Sequence, residues 1–265
     1  MQHFTDKALK EITAAHSEIR YKYIDLTVEI ASFTVTLQNE RAREFMQQGV
    51  NRRLWLLYRC VEKIFELFPP DRIERLEQDD RLDVEINLHA FLINIYGIID
   101  NIGLAVAYEN DLVGDESEQK LHPKAVNLFE RRFRRLLNPQ LCAYLRQDTI
   151  IQWYNKYAKN YRHALAHRIP PYVPPAALND EQQRRFEYIE QEIKRLLDER
   201  DFEGIEALRE EQESLGRSNP LFVHSFSEEA TPVYLHPQLI ADFGTVEELL
   251  KIAIANFHCE TQNEK

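Results

Sequence analysis

The chain is poor in the residues that turn-rich β proteins and disulfide-linked proteins need. It has seven glycines and three cysteines in 265 residues, whereas leucine, isoleucine, glutamate, arginine and glutamine are common. This composition favours helices over strands. The cysteines, Cys60, Cys142 and Cys259, lie far apart and form no CxxC motif. We therefore expect buried thiols in a reducing compartment rather than a disulfide framework.

The chain also lacks the apolar segments that direct a protein into or across a membrane. Residues 1–12 contain no apolar core of the signal-peptide type, and no apolar run is expected to approach membrane-spanning length. These absences predict a cytoplasmic protein with no membrane partner. The formal net charge of −11 argues against broad coating by nucleic acid, because most of the surface would repel a polyanion. One local anion-binding site is still allowed.

Apolar residues recur at helical spacing along most of the chain, which predicts an all-α protein built as an up-and-down helical bundle. The run from 80 to 108 is the most apolar, so it is predicted to lie at the centre of the bundle. The β-branched patch Thr34–Thr36 weakens the first helix, and 110–122 is predicted to be a loop. The first predicted helix spans 5–48 and ends at Gly49, and the second spans 51–68 and ends before Pro69. Further helices are predicted at 80–108, at 123–137, from Pro139 onwards, and from Asp148 to Pro170. The last predicted helix spans 237–257, with Thr245 as its best cap.

Changes in composition predict three regions. Residues 1–178 form the helical bundle, 179–219 form an inserted acidic hairpin of two helices, and 220–265 form an extended segment with a helix that packs back on the bundle. Between 179 and 214 there are about thirteen acids and six bases, and the turn is predicted near Asp201–Gly204. A charged hairpin of this kind is a candidate docking arm for a protein partner.

Acidic residues are absent from one stretch of the chain. No aspartate or glutamate occurs from Thr149 to Leu178, although Asp148 and Asp180 close the segment on either side. An acidic protein that excludes acids from one helical segment, and places cations and aromatics there, offers a site for an anion. The cations and aromatic residues of this acid-free segment include Trp153, Tyr154, Lys156, Tyr157, Lys159, Tyr161, Arg162, His163, His167 and Arg168.

The sequence YRHALAHR at 161–168 contains Arg162, then His163, then three residues and His167. This pattern resembles the R-polar-x-x-x-H motif of the HEPN superfamily (higher eukaryotes and prokaryotes nucleotide-binding), and the resemblance is specific only at the motif. It implies an up-and-down helical bundle with the motif late in a helix, and a homodimer in which two motifs face each other. Many members are metal-independent ribonucleases, often toxins or antiviral effectors. Others bind nucleotides or partners without cleaving.

The residue types suit metal-free cleavage of RNA, in which a 2′-hydroxyl is deprotonated and a leaving 5′-oxygen is protonated. Histidine titrates near neutral pH, so His167 is predicted to act as the acid–base. Guanidinium matches phosphate geometry, so Arg162 is predicted to stabilise phosphate charge. His163 would orient the site or bind phosphate. Arg162 and His167 diverge by about 140° on an ideal helix, which predicts that a second copy completes the site. Cleavage of this kind is expected to need no cofactor and no metal.

Further residues of the acid-free segment are predicted to bind the RNA partner. Tyr157 and Tyr161, one helical turn apart, are candidates for stacking on a splayed base. Lys156 and Lys159 are candidates for holding flanking phosphates, and Arg168 adds a third cation at the end of the helix.

The acid-free segment is also consistent with a purely structural role. The helix dipole favours cations near a helix C-terminus, so Arg162, His167 and Arg168 need no ligand to account for them, and the tyrosines are then core residues. The alternative function is a non-catalytic module that binds nucleotides or partners, with 179–214 as the docking arm. His163 and His167 also share a helix face and could bind zinc, although the sequence places no third ligand nearby.

Asp100 and Asn101 interrupt the most apolar predicted helix. A buried polar pair must be satisfied by hydrogen bonds or by charge. Either the pair forms a structural hydrogen bond, which we favour, or it approaches Arg162 and orients it.

Overall fold

The computed structural model describes residues 3–114, 120–223 and 232–259, and it confirms the all-α class. Two short antiparallel strands, β1 (Leu221–Phe222) and β2 (Val233–Tyr234), accompany the helices. The helical elements are α1 (Asp6–Thr34), α2 (Glu40–Glu44), the π-helical segment π1 (Phe45–Asn51), α3 (Arg52–Leu67), α4 (Gln78–Glu109), a 3-10 turn (Pro123–Ala125), α5 (Arg131–Arg134), α6 (Pro139–Tyr144), α7 (Asp148–Trp153), the π-helical segment π2 (Tyr154–Lys159), α8 (Asn160–His167), α9 (Asp180–Glu199), α10 (Phe202–Ser214) and α11 (Leu235–Ala255).

The first predicted helix, 5–48, is interrupted at its β-branched patch. α1 ends at Thr34, after which the carboxylate of Glu109 accepts hydrogen bonds from the backbone N–H groups of Gln38 and Asn39. The side chain of Asn39 then caps α2. β-branched residues weaken a helix, and here a carboxylate from another helix satisfies the backbone at the break.

The predicted helix end at Gly49 is wrong, because Gly49 lies inside π1, which continues into α3. A methyl group on Gly49 would lie 2.8 Å from Cγ of Asn101 on α4. The glycine therefore permits two helices to pack closely and does not end a helix.

α4 is the central helix, as predicted, and it packs against α2, π1, α3, π2, α8 and α11. Its buried apolar residues include Leu88, Phe91, Leu92, Ile95, Ile98, Ile99 and Ile102. Among the described residues, α4 is the one helix long and apolar enough to cross a membrane, with a mean hydropathy of 1.7 over its most apolar window. The expectation that no run approaches that length is therefore wrong for α4. However, 61% of this window is buried inside the fold, as in the core helix of a soluble protein.

The predicted helix 123–137 is wrong, since only a 3-10 turn and the four-residue α5 form there. The side chain of Asn127 accepts a hydrogen bond from the backbone of Phe129, and Glu130 caps the start of α5. Such local side-chain bonds compete with helix formation. α6 begins at Pro139, as predicted, and Asn138 caps it.

The predicted cap of the last helix is also wrong. α11 begins at Leu235, whose backbone N–H donates to the carbonyl of Pro220. Thr245 lies in the middle of the helix, where its hydroxyl donates to the carbonyl of Ala241 at 2.9 Å. Pro237 is tolerated because it lies in the first turn.

The acidic hairpin is formed by α9 and α10. A capping box of Asn179 and Gln182 begins α9, and the turn contains Arg200 at a positive φ of 59° and Asp201, which caps α10. The two helices bury a small apolar cluster of their own. Its residues are Ile189, Ile193, Leu196 and Ile205.

The segment after Pro170 is extended, and it is attached to the bundle. Tyr172 forms an isolated bridge with Val223, and Ala177 with Arg217. The predicted extended segment 220–235 contains the paired strands β1 and β2, while its residues 224–231 lie outside the described part, as do residues 115–119 of the predicted loop.

The three cysteines are unpaired, with Cys60 and Cys142 buried and Cys259 half-buried. Burial raises the pKa of the Cys60 thiol to about 11 and that of Cys259 to about 11. Thiols of this kind stay protonated at neutral pH.

Substitution of Gly49 and Gly244 by alanine should have opposite effects on stability. We expect Gly49→Ala to lower the free energy of unfolding by about 1 kcal/mol, because overpacking against Asn101 outweighs the gain in helix propensity. Gly244 lies inside α11, and a methyl group added there would have nothing within 4 Å. Gly244→Ala should raise the free energy of unfolding by about 0.5–1 kcal/mol. Urea unfolding measures both changes, and a stabilised Gly49→Ala would contradict this packing role.

Candidate functional site

The motif lies at the end of a continuous helix made of α7, π2 and α8. It begins at Asp148, as predicted, and ends at His167. The backbone N–H of Arg168 donates to the carbonyl of Ala164 at 3.0 Å, and Arg168 then turns into extended backbone before the prolines. The motif therefore occupies the last two turns of the helix.

Each of the two π-helical segments leads into a helix that packs against α4. π1 leads into α3 and π2 leads into α8, and both segments pack against α4. A π-helical turn holds extra backbone and is frequent at functional sites.

The buried side of the motif helix is formed by Tyr161 and Ala164. Tyr161 is only 4% exposed and its ring contacts that of Phe222, with centroids 5.3 Å apart. The prediction that Tyr161 stacks on a base is therefore wrong, because the ring is part of the core. Burial raises the pKa of its hydroxyl, with a further contribution from the charge of Asp242.

Arg162 is half-buried and lies against α4. Its Cζ is 5.5 Å from the centroid of the Tyr96 ring, a distance at which a guanidinium is attracted to an aromatic face. Asp100 lies one helical turn after Tyr96. Burial raises the pKa of Asp100 to about 6, while the positive charges of Arg162 and Arg53 lower it. The polar residue in this apolar helix therefore interacts electrostatically with the motif arginine.

The two histidines are exposed and lie beside each other. The ring centroids of His163 and His167 are 5.1 Å apart, with the planes inclined at 59°. The Arg162 guanidinium is directed instead at α4 and the ring of Tyr96. One copy thus presents a held guanidinium and two solvent-accessible imidazoles that do not converge.

The other predicted RNA-binding residues lie at the surface. Lys156 and Lys159 are exposed, and Nζ of Lys156 lies 5.2 Å from the ring centroid of the half-buried Tyr157. Arg168 is exposed and Nη2 donates to Oδ1 of Asn160 at 2.6 Å. Lys159 also borders an open cavity of about 220 Å³ beside Tyr154.

Sequence reasoning missed Arg53. Its Nη1 donates to Oδ1 of Asn94 at 2.8 Å, and a methyl group on Gly97 would lie 2.6 Å from its Cζ. The available signal was the spacing of Asn94, Gly97 and Asn101, which places small and polar residues on one stripe of an otherwise apolar helix.

The rear of the motif helix is fixed by a buried carboxyl group. Oδ1 of Asp242, on α11, accepts hydrogen bonds from Nε1 of Trp153 at 2.8 Å and from Nε2 of Gln238 at 2.7 Å. Burial raises the pKa of Asp242 from its ordinary value of 3.8 to about 7, and the two hydrogen bonds offset only part of that rise.

Metal ligation was the remaining chemical alternative. Across 3–114, 120–223 and 232–259, no group of three or more His, Cys, Asp or Glu side chains is placed to hold a metal ion. His163 and His167 therefore have no third ligand among these residues.

Replacement of Asp242 by asparagine should change how stability depends on pH. Between about pH 4 and pH 7 the carboxyl group of Asp242 is protonated in the folded protein and ionised in the unfolded chain. The stability that this proton contributes is therefore fully present below about pH 4 and is lost as pH rises through 7. We expect the free energy of unfolding of Asp242→Asn, relative to wild type, to increase from about pH 5 to about pH 8. Urea unfolding at both pH values measures it.

The control for this measurement is Asp83→Asn, since Asp83 is exposed on α4. Its difference from wild type measures the effect of replacing an exposed carboxyl group, and the change seen with Asp242→Asn is compared with it. A difference for Asp242→Asn that did not vary with pH would show that this carboxyl is ionised in the folded protein throughout the range.

Comparisons with known proteins return no match: no family model matches the chain, and no curated protein or solved structure matches it significantly. Any assignment of function to this chain therefore depends on the motif and its geometry.

Proposed function

We propose that the protein is a HEPN-like, metal-independent endoribonuclease that acts as a homodimer. The observation that carries this proposal is the placement of the motif. Arg162 is held against α4, while His163 and His167 are exposed on the same two turns, in an acid-free segment of a chain with a net charge of −11. Phosphoryl chemistry without a metal requires a fixed guanidinium and accessible imidazoles around one phosphate, which two copies of the motif would supply together.

The proposed reaction is a transesterification within RNA. One His167 removes the proton from the 2′-hydroxyl, and the 2′-oxygen forms a bond to phosphorus while the bond to the 5′-oxygen breaks. The partner's His167 donates a proton to that leaving oxygen. Arg162 stabilises the charge on the non-bridging oxygens, and His163 binds phosphate or orients the site. The products are a 2′,3′-cyclic phosphate and a 5′-hydroxyl.

The surface beside the motif supports association of two copies. On α4, Ile86 is 63% exposed and Ile93 is 40% exposed. Between them, His89 donates to the carbonyl of Pro171, just after the motif helix. Contiguous exposed apolar patches mark interaction sites, and we propose that these two isoleucines belong to one. A two-fold contact here would bring two copies of the motif near each other.

Three surface residues are proposed to bind the RNA strand around the cleaved bond. Tyr157 is placed to stack on a base, and the exposed Lys156 and Lys159 to hold neighbouring phosphates. Arg168 contributes positive charge at the helix end, although its hydrogen bond to Asn160 must be kept or exchanged when RNA binds.

The second candidate function is a non-catalytic module that binds a protein partner through the acidic hairpin. Two apolar side chains near the hairpin turn favour it, since Phe202 is 68% exposed and Leu197 is 51% exposed. On this hypothesis RNA is not cleaved, and removal of 179–214 abolishes binding of the partner.

The catalytic proposal predicts that Arg162→Ala and His167→Ala each lower the rate of RNA cleavage by about 10²- to 10³-fold, because each removes transition-state charge stabilisation or proton transfer. The measurement is cleavage of a labelled single-stranded RNA in the presence of EDTA. Arg59→Ala and His122→Ala, at exposed positions, are the matched controls and should retain the wild-type rate. Motif variants that cleave as fast as wild type would refute this mechanism.

The dimer proposal predicts that Ile86→Glu shifts the protein to monomers and lowers the cleavage rate, because a charge cannot be buried at an apolar interface without a large cost. Val28→Glu is the control, since Val28 is 61% exposed on α1 and should leave both properties unchanged. Sedimentation velocity measures the association state. A wild-type protein that stays monomeric at micromolar concentration while cleaving RNA would contradict the shared site.

A further inference from the structure

Arg53 is held in place more firmly than a surface arginine requires. Asn94 is only 6% exposed, and its Nδ2 donates to the carbonyl of Ala90, which leaves its Oδ1 directed at Arg53. A buried amide with a fixed orientation therefore determines where the guanidinium lies. Ordering a long cationic side chain costs conformational entropy, and the hydrogen bond to Asn94 offsets part of that cost.

Gly97 provides the space for this guanidinium. A methyl group there would lie 2.6 Å from Cζ of Arg53 and 2.7 Å from its Nε, which is closer than van der Waals contact allows. The guanidinium thus lies directly on the backbone of α4. The next residue towards the N-terminus is Tyr96, whose ring lies under Arg162.

Arg53 and Arg162 thereby reach neighbouring positions on α4 from two different helices. Both positive charges act on the same carboxyl group, that of Asp100. Two guanidiniums and one carboxyl leave the cluster positively charged even when Asp100 is ionised. A site of this kind attracts an anion, and guanidinium is well suited to bind phosphate oxygens.

The surface next to Arg53 continues this positive charge. An open groove of about 390 Å³ lies between π1 and α4, and Arg53 borders it together with Arg52. Arg41 also borders the groove and is paired with Glu44 at 2.7 Å. The groove thus has three arginines and one carboxylate at its edge, in a chain whose net charge is −11.

We propose that Arg53 and this groove form a second phosphate-binding position, adjacent to Arg162, which binds the next phosphodiester of a single-stranded RNA. Arg53 binds the phosphate, Asn94 and Gly97 are positioning residues for its guanidinium, and the strand continues past Arg52. The identity of the ligand rests on the proposed ribonuclease function, whereas the anion site rests on the geometry of Arg53.

The test is the affinity of the full-length protein for a short single-stranded 2′-O-methyl oligoribonucleotide, which cannot be cleaved by attack of a 2′-hydroxyl. Fluorescence anisotropy at several salt concentrations gives both Kd and its salt dependence. We expect Arg53→Gln to raise Kd about five- to tenfold and to reduce the slope of log K against log[salt] by about 0.7, as for the loss of one phosphate contact. Gly97→Ala should also raise Kd, because it displaces the guanidinium.

Two further variants keep the test decisive. Arg59→Gln, at an exposed position on the same helix, should bind as wild type. Arg53→Lys keeps the charge but loses the planar fork, so its Kd should lie between those of wild type and Arg53→Gln. Circular dichroism and thermal unfolding show whether Arg53→Gln folds. If it does not fold, Arg53→Lys takes its place in the test, and wild-type affinity of Arg53→Lys would then overturn the proposal.

The outcomes separate this inference from the proposed function. If Arg53→Gln binds as wild type while Arg162→Gln binds weakly, Arg162 holds the strand alone and the second position is wrong. If both variants bind weakly but wild type cleaves no RNA, the second position stands and the ribonuclease function is wrong. If wild type does not bind the oligonucleotide, both are wrong.

Discussion

The site depends on the packing of the Arg162 guanidinium against α4. Arginine stays charged in proteins, so a half-buried guanidinium needs neighbours that stabilise a cation. The ring of Tyr96 and the carboxyl group of Asp100 supply them. Because α4 lies at the centre of the bundle, the packing of the other helices determines where this surface is. The function that we propose therefore depends on the core as much as on the motif.

The distribution of charge fits the same organisation. The acid-free segment concentrates cations at one end of one helix, whereas α9 and α10 hold much of the negative charge away on a hairpin with its own small core. The positive charges of Arg162 and Arg53 both lower the pKa of Asp100. Under the proposed function an anion binds within a limited area, and the acidic remainder of the surface disfavours nonspecific nucleic acid.

The sequence was sufficient to predict features that depend on neighbouring residues. It was insufficient where contacts between residues distant in the sequence determine the structure. α3 ends before Pro69 and α4 is central, as periodicity and proline predicted. Gly49 was misassigned because its role is close packing against Asn101, which lies 52 positions later in the sequence. The motif is visible as spacing, but the burial of Tyr161 and the approach of Arg53 to Gly97 arise only when helices pack.

The most direct measurement is the chemistry of the RNA ends that the purified protein produces in the presence of a metal chelator, determined by mass spectrometry of a defined oligoribonucleotide. Attack by the 2′-hydroxyl, with Arg162 and the two copies of His167 around one phosphodiester, predicts 2′,3′-cyclic phosphate and 5′-hydroxyl ends. These ends should disappear with His167→Ala. Cleavage that left 5′-phosphate and 3′-hydroxyl ends, or intact RNA at every protein concentration, would contradict the proposed site.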